Sequence, residues 1–283
     1  MPNPLQVAFA FHPRRWRDFF YAYPVISRRS KGLSIGINLN PDGACNFDCL
    51  YCSVDRTITP PVGDVDLERL DTELRWLLDR REALFDEPEF RGVPAAYRRL
   101  NDVAFSGDGE PTASPLFNAA ARLVAKRLSD ARLPDVKIVV ITDACYLTRP
   151  AVAATLAFLD DHCGEVWAKL DAGTEAYFRE VNRPNTTLQH VLDNILAAAR
   201  IRPIVIQSLF MMLDGAGPGR AEIEAYVSRL RDLLAAGASI RLVQVYTVAR
   251  RVASPRASPL AEPELELIAA RVRELGLAAE VFS

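Results

Sequence analysis

The 283-residue chain has no long apolar run. A helix that spans a bilayer needs about 20 consecutive, mostly apolar residues, so no transmembrane helix and no membrane partner are expected. The opening stretch, Met-Pro-Asn-Pro-Leu-Gln, lacks the basic and apolar regions of a secretory signal, and the sequence reads as a cytoplasmic protein. Charge of one sign is lacking too. Lys and Arg number 34 against 36 Asp and Glu, a net charge of −2, so no global field draws the chain to nucleic acid. There is no low-complexity tract, evident linker or sequence repeat. Cysteine is scarce, with five residues at positions 45, 49, 52, 145 and 163. A secreted disulfide framework would spread an even set along a short chain. The composition, 49% apolar and 25% charged, is ordinary for a globular protein and excludes a disordered chain or a collagen-like fibre.

What is present is a strand–helix alternation. Leu33, Ile35, Ile37 and Leu39 alternate with Ser34, Gly36 and Asn38, the period of a strand. Leu67, Leu70, Leu74, Leu77 and Leu78 follow at helical spacing. A short strand at 102–106 leads to a helix that Ser114-Pro115 opens, running to about Ser129. The pattern continues with strands at 137–142, 165–171, 204–210 and 240–248. Helices are expected after Pro150, over 174–180 and 187–200, over 219–236 up to Gly237, and from Ser258-Pro259 to about Leu275. Six strand-then-helix units imply an α/β fold with parallel strands and outer helices. Six are too few for a closed eight-stranded barrel, which leaves a doubly wound sheet or a partial barrel. In both, ligands sit beyond the carboxyl ends of the strands.

The residues beyond those ends carry the chemistry. After the first strand stand Cys45, Cys49 and Cys52, a C-x3-C-x2-C loop able to wrap three corners of a compact metal centre. Iron–sulfur clusters are held by cysteine thiolates. Structural zinc wants four ligands, which here would require a distant fourth, Cys145, Cys163 or a histidine. After the second strand comes Ser106-Gly107-Asp108-Gly109-Glu110-Pro111-Thr112, two glycines that admit close backbone approach and a carboxylate suited to an ammonium group. The strand at 165–171 puts Glu165, Trp167, Lys169 and Asp171 on one face. That face is costly in a dry core unless a ligand or an ion pair, such as Lys169–Asp171, satisfies it.

Taken together, the C-x3-C-x2-C loop with Tyr51 before its third cysteine, the Gly107–Pro111 stretch and the six units resemble the radical S-adenosylmethionine superfamily. The resemblance covers roughly residues 32–280. Phe105–Thr112, Lys169–Gly173 with Asn182-Arg183-Pro184, and Val245–Arg250 look most like the wyosine-synthesis-type iron–sulfur oxidoreductases. It implies a partial (βα)6 barrel over 32–283 preceded by an N-terminal extension, 1–31. It also implies a [4Fe-4S] cluster on Cys45, Cys49 and Cys52, with S-adenosylmethionine on its open iron. Glu110 and the backbone around Gly107, Asp108 and Gly109 would hold the methionine ammonium, and Tyr51 would lie near the adenine. Lys169 and Asp171 would serve the methionine carboxylate and ribose hydroxyls, with Ser208 and Gln207 as further candidates. Reductive cleavage would give a 5′-deoxyadenosyl radical that takes hydrogen from a substrate, with flavodoxin or ferredoxin as electron donor. One departure stands out. The wyosine-type enzymes carry additional N-terminal cysteines for a second cluster, and residues 1–44 here contain none.

Two basic segments bear on the substrate. Residues 11–31 hold Arg14, Arg15, Arg17, Arg28, Arg29 and Lys31 against Asp18, a local +5, interleaved with Phe11, Trp16, Phe19, Phe20, Tyr21 and Tyr23. Basic and aromatic side chains together suit phosphate contacts and base stacking; the same rings also suit packing on the barrel. Arg250, Arg251 and Arg256 add a second basic loop. A tRNA or another anionic substrate is one expectation, a protein or small metabolite a second, and a non-catalytic zinc module a third.

Overall fold

A computed structural model describes residues 4–54, 64–250, 252 and 254–283. The chain divides into two compact units. The first comprises 1–44, 59–141 and 154–165, and the second 45–58, 142–153 and 166–283.

In the first unit, β1 (Ala22–Ser27) pairs antiparallel with β2 (Gly32–Ile37). β2 runs parallel to β3 (Leu100–Phe105), and β3 parallel to β4 (Lys137–Thr142). The alternation expected at 33–39 is therefore β2, but both of its faces are buried, as in a sheet covered on two sides. Helices α1 (Pro4–Ala10), α2 (Leu67–Asp79), α3 (Phe117–Asp130) and most of α4 (Pro150–Asp160) belong to this unit. Asp66 caps α2 by accepting from the Glu68 and Arg69 amides, which satisfies two of the amides a helix start leaves open. Leu70, Leu74 and Leu77 of its apolar stripe are fully buried, about 1.5–3 kcal/mol of transfer free energy each.

The second unit holds most of β5 (Gly164–Lys169), with β6 (Ile204–Leu209), β8 (Ile240–Tyr246) and β10 (Ala279–Phe282) in parallel register. A two-stranded ribbon pairs β7 (Met211–Leu213) with β9 (Ala257–Pro259). Helices α5 (Glu175–Val181), α6 (Leu188–Ala199), α7 (Arg220–Ala235) and α8 (Glu262–Arg273) complete it. Thr174 caps α5 and Thr187 caps α6. α7 ends where expected, with Gly237 at φ 91°, the left-handed conformation that glycine takes without steric cost. The six strand-then-helix units are all present, beginning at β2, β3, β4, β5, β6 and β8, and the fold class is α/β with parallel strands. No helix among the described residues is long and apolar enough to cross a membrane.

The segment 11–31 is built into the first unit. Trp16, Tyr21 and Tyr23 are buried, and Trp16, Phe19 and Trp76 form a ring cluster with centroids 5.4–5.7 Å apart. Arg17 stacks on Trp16 and Trp76, and Arg69 stacks on Phe20 at 4.0 Å.

Candidate functional site

The cysteine loop lies in the second unit, clamped by the residues that follow α5. The Asp48 amide donates to the Asn182 carbonyl (3.1 Å) and the Leu50 amide to that of Val181 (2.9 Å). The Asn185 amide donates to the Asn46 carbonyl at 3.2 Å, and Phe47 and Pro184 form an isolated bridge. The Val181–Asn185 strip thus acts as a short strand for residues 46–50. Arg183 sits at φ 45°, a left-handed backbone that bulky residues seldom adopt. Tyr146 Oη donates to Asn46 Oδ1 at 3.1 Å and steadies the loop's start.

Within this clamp the predicted residues Cys49, Tyr51, Lys169 and Asp171 come together around Asn182. Asp171 lies two residues past the end of β5 and is buried. Its Oδ1 accepts the Leu209 amide at 2.9 Å, and its Oδ2 accepts Tyr51 Oη and, at 2.9 Å, Asn182 Nδ2. Lys169 Nζ stands 3.9 Å from Asp171 Oδ2 and 4.4 Å from the centre of the Tyr51 ring. The Lys169–Asp171 pair therefore forms, with the carboxylate inside rather than at the surface. Asn182 Nδ2 also lies 3.2 Å from Tyr51 Oη and donates to Cys49 Sγ at 3.5 Å. Burial pushes the Cys49 thiol up to about 12; Lys169 opposes this, and Asp171 adds to it. Burial and the neighbouring Asp171 likewise hold the Tyr51 phenol well above its ordinary value. Hydrophobic packing of Leu50 and Tyr51 against Val181, Leu209, Met211 and Tyr246 fixes the loop's far end.

The remaining predicted residues have other partners. Ser208 is fully buried and bonds to Tyr226 Oη at 2.6 Å, and Gln207 Nε2 donates to Gln244 Oε1 at 2.7 Å. In the first unit, the Gly107–Glu110 loop follows β3 and is tied to Asn38. Asn38 Oδ1 accepts the Asp108 amide at 3.1 Å, and its Nδ2 donates to Asp108 Oδ2 at 2.7 Å. A Cβ on Gly109 would overlap the Ala44 carbonyl oxygen, so only glycine fits this close approach. Glu110 is buried, and its Oε1 accepts the amide and hydroxyl of Thr112, capping the turn Pro111–Ala113.

The donor set can be tested against the groups it was expected to hold. Cys45, Cys49 and Cys52 form no disulfide, the first being exposed and the others half-buried. Among the described residues, no three of His, Cys, Asp and Glu are grouped to hold a metal ion, the three loop cysteines included. Three thiols on one clamped loop are of the donor type that an iron–sulfur cluster takes. Cys145 is buried, with its carbonyl accepting from Asn194, and exposed Cys163 donates to the Pro134 carbonyl. Asn182 and Asn38 are the functional candidates that motif reasoning missed as individual residues. Asn38 was legible only as a polar position on the first strand, and Asn182 only as part of Asn182-Arg183-Pro184.

The basic loop is partly neutralised. Arg256 pairs with Asp214 at 2.6 Å and Glu180 at 2.8 Å, and Arg251 lies outside the described residues.

No protein-family model matches the chain. It is 33% identical over 178 residues, 61% of its length, to the UPF0026 protein MJ1312 of Methanocaldococcus jannaschii, of which it spans 46%, about half. Among solved structures it is similar to a radical SAM methyltransferase from Sphaerobacter thermophilus (TM-score 0.61, 15% identity, covering 92% of this chain and 68% of that one). It is also similar to SuiB of Streptococcus suis, solved with S-adenosylmethionine (TM-score 0.60, 12% identity, 90% and 52%). The fold is that of the radical S-adenosylmethionine enzymes, the partial barrel expected from the sequence.

Proposed function

We propose that the chain is a radical S-adenosylmethionine enzyme whose cluster is held by Cys45, Cys49 and Cys52. The observation that carries this reading is the C-x3-C-x2-C loop, clamped through Val181–Asn185 in a chain of this fold. Bound there, the cluster would supply the electron for reductive cleavage of S-adenosylmethionine to methionine and a 5′-deoxyadenosyl radical. The protein's part is to orient and to exclude competing reactions. Glu110, with the glycine loop Gly107–Gly109, is the proposed partner of the methionine ammonium. Lys169 is the proposed partner of its carboxylate, and Tyr51 a wall for the adenine. Both oxygens of Asp171 already accept protein donors, so we assign it to holding Tyr51 and Asn182 rather than to the ribose; Ser208 is likewise committed to Tyr226.

A small flavodoxin or ferredoxin is the proposed reductant. For the hydrogen donor, residues 11–31 lend less to a tRNA reading than their composition suggests, because Trp16, Tyr21 and Tyr23 are buried and Arg17 stacks on Trp16. A protein or small metabolite therefore stands ahead of tRNA. The test is anaerobic reconstitution with iron and sulfide, then reduction with S-adenosylmethionine. The wild type forms 5′-deoxyadenosine, and Cys45→Ala, Cys49→Ala and Cys52→Ala do not, while Cys163→Ala does. Nucleoside release by any of the three variants would falsify the ligand assignment. Competition by tRNA that weakens steeply with salt would return tRNA to first place.

A further inference from the structure

We propose that Asn182 is a positioning residue that sets the reduction potential of the cluster through a hydrogen bond to one of its thiolates. The inference rests on the cluster assignment above and names a residue outside the cysteine motif. Asn182 is 1% exposed, and its Nδ2 is the group aimed at Cys49 Sγ, at 3.5 Å. An amide nitrogen has two hydrogens. Asp171 Oδ2 at 2.9 Å and Tyr51 Oη at 3.2 Å lie together, bonded to each other. One hydrogen serves that pair, and the other is left for the sulfur.

Asn182 is held by its backbone and by its side-chain nitrogen, while its Oδ1 is buried without a hydrogen-bond partner. Its backbone carbonyl accepts the Asp48 amide, and its own amide donates to the Phe178 carbonyl at 2.9 Å. Asp171 is in turn held by the Leu209 amide and by Lys169. A flip of the side-chain amide would turn its oxygen toward the Asp171 carboxylate, so the donor is fixed toward the sulfur. Hydrogen bonds to sulfur are among the factors that set cluster potentials, and partners behind a ligand tune the metal it holds. The reduced cluster carries one more negative charge than the oxidised one. A donor pointed at its thiolate therefore favours the reduced state, by the same logic that a hydrogen bond favours the charged form of an acid. Asn182 makes the cluster easier to reduce.

The test is an anaerobic redox titration of the reconstituted 283-residue chain, wild type and Asn182→Ala, with iron and sulfide content measured on both. The expected result is intact cluster in both proteins. At the wild-type midpoint, the ratio of reduced to oxidised cluster in the variant falls roughly tenfold, about 59 mV for a one-electron couple. Equal ratios with intact clusters overturn the inference and leave the cluster assignment standing. Failure of the wild type to take up iron and sulfide overturns the assignment itself. If only the variant fails to load, the reduced wild type made with 15N-labelled asparagine supplies the readout. A nitrogen hyperfine coupling to the cluster that is lost in Asn46→Asp or in Asn185→Asp points away from Asn182, a coupling retained in both supports it, and no coupling at all overturns it.

Discussion

Glu73 offers the sharpest test of how the first unit is assembled. It is a carboxylate on α2, 3% exposed, and it serves three successive backbone amides at the start of β1. Its Oε1 accepts from Phe20 at 2.9 Å, and its Oε2 from Tyr21 at 2.8 Å and Ala22 at 3.0 Å. Arg69 adds a bond to Oε1 at 3.0 Å. Glu73→Ala strands the Tyr21 and Ala22 donors, both in buried bonds, while Phe20 can reach water. A buried donor left unpaired costs about 1–3 kcal/mol, so the alanine variant should lose about 4 kcal/mol, a fall of roughly 10 °C in melting temperature. Glu73→Gln keeps one acceptor oxygen, which will face the Tyr21–Ala22 pair, and should lose about 1–2 kcal/mol. Arg69 is 42% exposed on its side chain, so its freed charge adds little. The assay is urea unfolding followed by tryptophan fluorescence, because Trp16 and Trp76 sit 5.4 Å apart beside this contact. An alanine variant within 1 kcal/mol of wild type, or a glutamine variant no better than alanine, would refute the reasoning.

Asp102 supplies a pH test. It is buried and bonded to Ser34, and burial pushes it up to about 6, with Glu165 adding to the shift and the hydrogen bonds and Lys137 opposing it. The folded state therefore binds this proton more tightly than the unfolded chain. Stability from this group is greatest below about 4 and is lost as pH rises through 6, about 3 kcal/mol in all. Asp102→Asn should be the more stable protein at pH 7.5 and lose that advantage by pH 4.5 in denaturant titrations; an advantage independent of pH would show that another group titrates. Gly109→Ala must displace the Ala44 carbonyl and should cost roughly 1–3 kcal/mol or more, read as a lower melting temperature, with an unchanged melt counting against the close approach.

The fold was legible where it depends on local pattern and illegible where it depends on distant partners. The runs at 137–142 and 204–210 are rich in β-branched residues, and they form β4 and β6. β1 escaped notice because Ala22–Ser27 carries Pro24 within it, and proline normally argues against a strand. It is tolerated here because, among the described residues, β1 is an edge strand paired with β2 alone, where a missing donor can face away from the sheet. β10 escaped because Ala279–Phe282 is too short to show a period. The aromatic and basic segment 11–31 was read from composition, which cannot distinguish a ring that stacks on a base from one that stacks on Trp76.

The site divides the same way. Three cysteines within eight residues declare themselves, because a metal centre needs its thiols close in space and a single loop achieves that by closeness in sequence. Asn182 is 133 residues from Cys49, and nothing in its neighbourhood marks it as a donor to sulfur. Its proposed role follows from the strip that carries it: residues 181–185 lend their backbone to the cysteine loop, and of their side chains those of Val181 and Asn182 are buried while Arg183 and Asn185 face outward. A hydrophobic residue there would fill the same space and clamp the loop as well. An amide does more, since it must find partners for its hydrogens in a buried setting, and Asp171 and Tyr51 hold it so that one of them meets Cys49. The clamp alone would tolerate leucine at 182, whereas a tuned cluster would not, so Asn182→Leu should load iron normally and still be harder to reduce than the wild type.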